Sequence, residues 1–240
     1  MMRRVASFII SIILVPVLYI VAIAGILVVW AMVPFGRRAR LAYTDAFYRH
    51  WSRALMAVTL SRVKVEGELP RRNDTVVFFA NHSSYVDICA MSGWVDCHAS
   101  YMARRSLLKF FPIGFWILAA DGVFVERKGS RRELEAILLI IAKVKSGRRF
   151  IIFPEGTRTR TGDLGELKAG ALKIPQKAGV PIVPVHIEGT ADVLPRGAKW
   201  FKPADIVIRI GEPIPPEEIA KDKEAVLDTL EKHLSGNFKY

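Results

Sequence analysis

The chain has 240 residues, enough for one sizeable core, and domain-size statistics favour one globular unit over two. Half of its residues are hydrophobic (51%), mean hydropathy is +0.25, formal net charge is +12 and the pI is near 9.9. The charge admits nucleic acid, anionic lipid or another anionic ligand, but helix-turn-helix, RNA-binding and zinc-finger signatures are missing and Lys and Arg are spread along the chain. That pattern excludes nucleic acid as the expected partner and points to anionic headgroups.

The hydrophobic excess has an address. From Val5 to Val33 the sequence carries no charged residue. As one straight helix, at about 1.5 Å per residue, this segment exceeds a hydrocarbon core of roughly 30 Å. Two readings follow: a tilted single span, or a break at Pro16 into two short arms that enter one leaflet and return. Arg3 and Arg4 precede the segment and Arg37, Arg38 and Arg40 follow it, so both flanks favour the cytoplasmic side. A cleaved signal peptide is rejected because the apolar run continues well past "AIA" at 22–24. Residues 1–60 are expected to form an N-terminal membrane-anchoring helical segment and 61–240 an α/β domain.

A helix is predicted over 40–60, where bulky apolar residues recur at helical spacing. Short β-branched runs then alternate with helical ones. Strands are predicted at 75–80 ("TVVFFA"), 122–126 ("GVFVE"), 149–153 ("RFIIF"), 181–189 ("PIVPVHIEG") and 205–211 ("DIVIRIG"). Helices are predicted after Ser84, from Arg131, near 168–178 and over 217–235. The one at Arg131 has a capping box, Ser130 with Glu133, and Gly147 where a C-terminal cap belongs. This alternation predicts an α/β fold: a mixed central sheet flanked by helices, preceded by the N-terminal membrane-embedded helical segment. Cys89 and Cys97 have neither metal nor redox spacing, and buried free thiols are expected.

The chemistry gathers at predicted strand ends. "NHSSYVD" places His82 directly after a buried strand and Asp87 in the first turns of the next helix, with Ser83 or Ser84 as its cap. On a continuous helix, positions five apart stand about 140° round from each other, so an intervening turn is needed to bring the two side chains together. If Asp87 accepts from one ring nitrogen, the other becomes a fixed acceptor for a hydroxyl proton. Ser83 and Ser84 lack the Gly-rich elbow of a nucleophilic serine. Arg127 and Lys128 follow a second strand, and Glu155-Gly156-Thr157-Arg158 a third. Gly156 permits close backbone approach, and nearby N–H groups with Arg127, Arg158 and Arg160 or Lys168 are suited to a phosphate.

The blocks "NHSSYVD", "GVFVER", "FPEGTRT" and "VPIVPV", in that order across about residues 70–190, resemble the glycerolipid acyltransferases of the 1-acyl-sn-glycerol-3-phosphate acyltransferase type. The resemblance implies that His82 and Asp87 are the catalytic dyad. It also implies that Arg127, Glu155, Gly156, Thr157 and Arg158 bind the acceptor phosphate and that the proline-rich block shapes the site. It implies transfer of an acyl group from acyl-CoA or acyl carrier protein to lysophosphatidate, with no cofactor and no metal. The expected place is the inner, cytoplasmic membrane, with the catalytic domain at its cytosolic face and anionic lipids around it. An N-terminal membrane-embedded helical pair belongs to the same resemblance. Glu126 stands where Asp is common and Arg104 where Lys is frequent, which bears on headgroup and donor preference. Other readings are another lyso-lipid acceptor such as a lyso-ornithine lipid, a hydrolase using His82 to activate water, and an anionic-lipid-binding membrane protein without catalysis.

Overall fold

The computed structural model describes residues 2–126, 130–158, 163–195, 197–198 and 200–237, the side chains from Val5 onward. Helix α1, Met2–Ala31, is one 30-residue helix that continues through Pro16. The break into two arms at that proline is therefore not where the chain reverses. Reversal comes in the 3₁₀ turn Val33–Phe35, which contains Pro34, and at Gly36, whose φ of +85° disfavours any side chain. Helix α2, Gly36–Val58, then runs back along α1. Ser7 Oγ donates to the Thr59 carbonyl (2.9 Å) and Trp51 Nε1 to the Leu18 carbonyl (3.0 Å), pairing the start of one helix with the end of the other.

The strands are β1 (Arg62–Glu66), β2 (Val77–Ala80), β3 (Ser100–Arg104), β4 (Val123–Val125), β5 (Phe150–Ile152), β6 (Ile182–Glu188) and β7 (Asp205–Ile210). They form one seven-stranded sheet in the order β1-β7-β6-β2-β5-β3-β4. β2 to β6 are mutually parallel; β7 is antiparallel to β6, and β1 is parallel to β7. The sheet is therefore mixed, as expected, and five carboxyl ends open on one edge.

The remaining helices are α3 (Val86–Ala90), α4 (Ile113–Ala119), α5 (Arg131–Lys145), α6 (Lys173–Ala178), α7 (Thr190–Val193), α8 (Pro216–Lys221) and α9 (Lys223–Leu234). They cover both faces. Phe78, Ala80, Ile151, Val183 and Val185 pack with Leu55 and Met56 of α2 and Val86 and Ala90 of α3. Val77, Phe79, Phe150, Ile152 and Ile182 pack with α5, α6, α8 and α9. Alternate residues of each strand thus enter opposite cores, which is why the central strands read as unbroken apolar runs. Each such side chain, fully buried, contributes about 1.5–3 kcal/mol.

Local signals explain several boundaries. Ser130 Oγ accepts from Glu133 N (3.0 Å) at the start of α5, and Gly147 follows its end at φ +91°. The predicted final helix is two: Asp222 is extended, and its carboxylate accepts from Glu224 N and Ala225 N, starting α9 afresh. α4 joins α1 and α2 in a third core, where Trp116 stacks on Phe47 (ring centroids 3.9 Å) and meets Ile26 and Val29. Trp116 Nε1 also donates to the Ala22 carbonyl (3.1 Å). The opposite face of α1 is uncovered: Ile20 is 64% and Leu27 70% exposed. Both cysteines are free and buried, and burial pushes the Cys89 thiol up to about 12.

Candidate active site

β2 ends at Ala80, and the next residue anchors its exit. Asn81 Nδ2 donates to the Ile187 carbonyl (2.9 Å), and its Oδ1 accepts from Ile187 N (2.7 Å). A side chain thereby continues the β2–β6 ladder by one step and fixes where His82 begins. The imidazole lies on the Phe153 ring, centroids 4.1 Å apart and 19° from parallel.

Between His82 and α3 the chain turns instead of coiling, and Asp87 folds back over the turn. Its Oδ2 lies 2.8 Å from His82 Nδ1 and accepts from Ser83 N (2.8 Å) and Ser84 N (2.9 Å). The carboxylate does the work assigned to a serine cap from within the helix; Ser84 Oγ accepts only from Val86 N, at 3.2 Å. A carboxylate that takes backbone N–H groups is an acceptor, so hydrogen-bond logic puts the ring proton on Nδ1 and leaves Nε2 bare. Asp87 is fully buried and the His82 side chain 15% exposed. The pair is sealed on the acid side and open on the base side.

Glu155, predicted among the phosphate ligands, has another place. It is buried; Oε1 accepts from His82 N (2.7 Å) and Oε2 from Gly165 N (2.9 Å). Burial pushes its carboxyl above the usual range, against the pull of these two N–H groups. A carboxylate repels phosphate and both oxygens are engaged, so Glu155 braces the exit of β2 against the 163–168 loop.

Around Gly156 the cations collect. Gly156 has φ +68°, and a Cβ there would sit 2.2 Å from Lys168 Nζ, so the missing side chain is filled by that ammonium. Arg104 Nε, at the end of β3, donates to the Gly156 carbonyl (3.2 Å). Thr157 and Arg158 are exposed, and the Arg158 guanidinium lies 3.5 Å above the Tyr85 ring, three residues from His82. Arg127 and Arg160 lie outside the described residues; Glu126 pairs with Arg105 and Arg132. A cavity of about 600 Å³ lies beside the dyad, lined among others by Asn81, His82, Leu164, His186 and Leu234.

Tyr85 and Thr190, at this edge, were not singled out from the sequence, and Arg104 was noted there only as a departure bearing on headgroup and donor preference. Tyr85 sits inside the first block, but its ring finds Arg158 only in the fold. Arg104 closes a strand with no clear apolar alternation. Thr190, whose hydroxyl donates to Asp87 Oδ1, lies 103 residues away; its one signal is its place just after a strand.

Residues 62–188 match the family model described as acyltransferase. The chain is 32% identical over 165 residues to the 1-acyl-sn-glycerol-3-phosphate acyltransferase of Saccharomyces cerevisiae, covering 67% of this chain and 54% of that one. It is 27% identical over 164 residues to the human 1-acyl-sn-glycerol-3-phosphate acyltransferase beta, covering 68% and 59%. The chain thus spans between about half and three fifths of the length of these relatives. The crystal structure of the 1-acyl-sn-glycerophosphate acyltransferase PlsC from Thermotoga maritima superposes with a TM-score of 0.77 at 26% identity, over 98% of this chain and 95% of that one. By its matched residues, its fold and its strand-end motifs, the chain belongs to the acyltransferase family.

Proposed function

We propose that this protein transfers an acyl group from a thioester, acyl-CoA or acyl carrier protein, to the 2-hydroxyl of lysophosphatidate, forming phosphatidate. The observation that carries the reading is a His–Asp pair at 2.8 Å on the same sheet edge as the cations gathered around Gly156. The acceptor phosphate binds Arg158, Lys168 and Arg104, together with Arg127, each charge-assisted contact contributing about 1.5–3 kcal/mol. His82 Nε2 takes the 2-hydroxyl proton as that oxygen attacks the thioester carbonyl. The tetrahedral oxyanion collapses, the C–S bond breaks, and the imidazolium returns its proton to the leaving sulfur. The acyl group passes directly, without an acyl-enzyme.

The acceptor arrives from the bilayer. The α/β part contacts α1 from Phe8, whose ring meets Trp200, to Val29, so the uncovered face of α1 is the side that lies in lipid. Residues 1–60 anchor the protein in one leaflet, and residues 61–240 stand at the cytosolic face of the inner membrane, where exposed Arg38 meets anionic headgroups while Arg37 and Arg40 hold Asp121.

Detergent-purified protein supplied with lysophosphatidate and a labelled donor, acyl-CoA or acyl carrier protein in turn, tests the reading. Labelled phosphatidate with at least one donor is expected. Transfer only to a different lyso-lipid replaces the acceptor, and free fatty acid in place of lipid product replaces transferase with hydrolase.

A further inference from the structure

Asp87 is served from two distant parts of the chain. Oδ2 is held within its own loop by His82 Nδ1, Ser83 N and Ser84 N. Oδ1 takes the hydroxyl of Thr190, in the first turn of α7. Thr190 is 0% exposed, so water does not stand in for that hydroxyl. Its oxygen also lies 3.2 Å from Ser83 Oγ. A threonine hydroxyl has one proton and an ionised carboxylate has none to give, so Thr190 donates to Asp87 and the Ser83 hydroxyl donates to Thr190. The Ser83 proton is thereby directed at the Thr190 oxygen.

The approach of Thr190 is built into the backbone. Asn81 clamps β6 at Ile187, and two residues on Gly189 turns the chain at φ +85°. A Cβ at Gly189 would sit 2.2 Å from the Asp205 carbonyl oxygen, so only glycine makes this turn. The pair Gly189-Thr190 thus aims a single hydroxyl at the dyad.

We infer that Thr190 is a positioning residue of the reaction: by holding Oδ1 of Asp87 it keeps Oδ2 on His82 Nδ1, and so keeps Nε2 bare and directed at the substrate hydroxyl. This rests on the reading of His82 as general base. Without the hydroxyl, a buried carboxylate oxygen loses its donor and the charge is less shared. The carboxylate is then free to turn, and His82 Nδ1 loses its fixed partner.

Thr190→Val preserves the side-chain shape and removes the hydroxyl; Thr190→Ser does the reverse. We expect Thr190→Val to lower kcat about ten-fold, the scale of one charge-assisted hydrogen bond, with KM for lysophosphatidate unchanged. Thr190→Ser should restore the rate. A packing role would give the opposite order, with Val harmless and Ser harmful, and would overturn the inference. Nitrogen NMR of the His82 ring reads the same coupling without turnover. The single tautomer protonated at Nδ1 should dominate in wild type and Thr190→Ser and be lost in Thr190→Val. Wild-type kcat and ring spectrum in Thr190→Val would overturn it. Failure of the wild type to acylate lysophosphatidate would sink the acceptor assignment alone, because the ring spectrum still decides the role of Thr190.

Discussion

A general base at His82 and phosphate ligands among the cations near it predict different failures on removal, and that difference separates the two roles. Arg158 is exposed and rests on Tyr85, so Arg158→Ala leaves the core intact. It should raise KM for lysophosphatidate several-fold, by roughly the 1.5–3 kcal/mol of one charge-assisted contact, while kcat changes little. Steady-state kinetics over a range of acceptor concentrations checks this; an unchanged KM would remove Arg158 from the phosphate site. Residue-scale chemistry was legible in the sequence where it was local. His82 and Asp87 lie five positions apart after an unmistakable strand, and a turn between them is what the fold supplies. Glu155 is expected as a ligand from its block, whereas its hydrogen bonds to His82 N and Gly165 N depend on a loop that returns only in the fold. Thr190 was invisible because nothing in a linear chain announces a contact over 103 positions.

At the scale of elements, strong apolar alternation and caps carried the reading, and their absence defeated it. The strands at 77–80, 123–125, 150–152, 182–188 and 205–210 and the capped α5 fall where predicted. β1 and β3 were missed: "RVKVE" is a half-exposed edge, and "SYMAR" loses its apolar character just where it reaches the site. Pro16 reads as a breaker, yet α1 continues through it, with Ser7 bonded to Thr59 before the proline and Leu18 and Ala22 bonded to Trp51 and Trp116 after it.

A second His–Asp contact, far in sequence from the first block, ties α2 to the sheet. His98 Nδ1 lies 2.8 Å from Asp45 Oδ2, and Arg148 Nη2 reaches Asp45 Oδ1 at 3.4 Å. The hydrogen bond to Asp45 raises the His98 pKa to about 9, above its ordinary 6.5. A folded-state value above the unfolded one stabilises most at low pH. This contribution is therefore complete below pH 6.5 and lost as pH rises through 9. Thermal unfolding in detergent should show His98→Gln less stable than wild type at pH 6, with the gap closing by about pH 10. A gap independent of pH would mean that the ring acts by packing alone.

For the whole molecule, the uncovered face of α1 and the exposed Phe110 and Phe111 make one large apolar surface, joined where Tyr19 Oη donates to the Phe111 carbonyl (3.4 Å). Surfaces of this size mark interaction sites. Ile13, Ile20 and Leu27 all point outward, so replacing them with Asp leaves the packed face of α1 untouched. The triple variant should shift from pellet to supernatant in co-sedimentation with anionic phospholipid vesicles while keeping its fold by circular dichroism. Undiminished binding would contradict the placement of this face in lipid. Composition made an apolar N-terminal segment plain, but which of its faces the protein covers depends on Trp51, Thr59 and Trp116, which only the tertiary fold brings to it.

The central claim is that His82 is the general base of a direct acyl transfer. The most direct test compares wild type, His82→Ala and Asp87→Asn for labelled phosphatidate formation, under conditions where all three are shown to be folded. The account predicts a loss in His82→Ala of at least the roughly 10²–10⁴-fold typical of a missing general base, with a large loss in Asp87→Asn as well. Transfer by His82→Ala at the wild-type rate would contradict it.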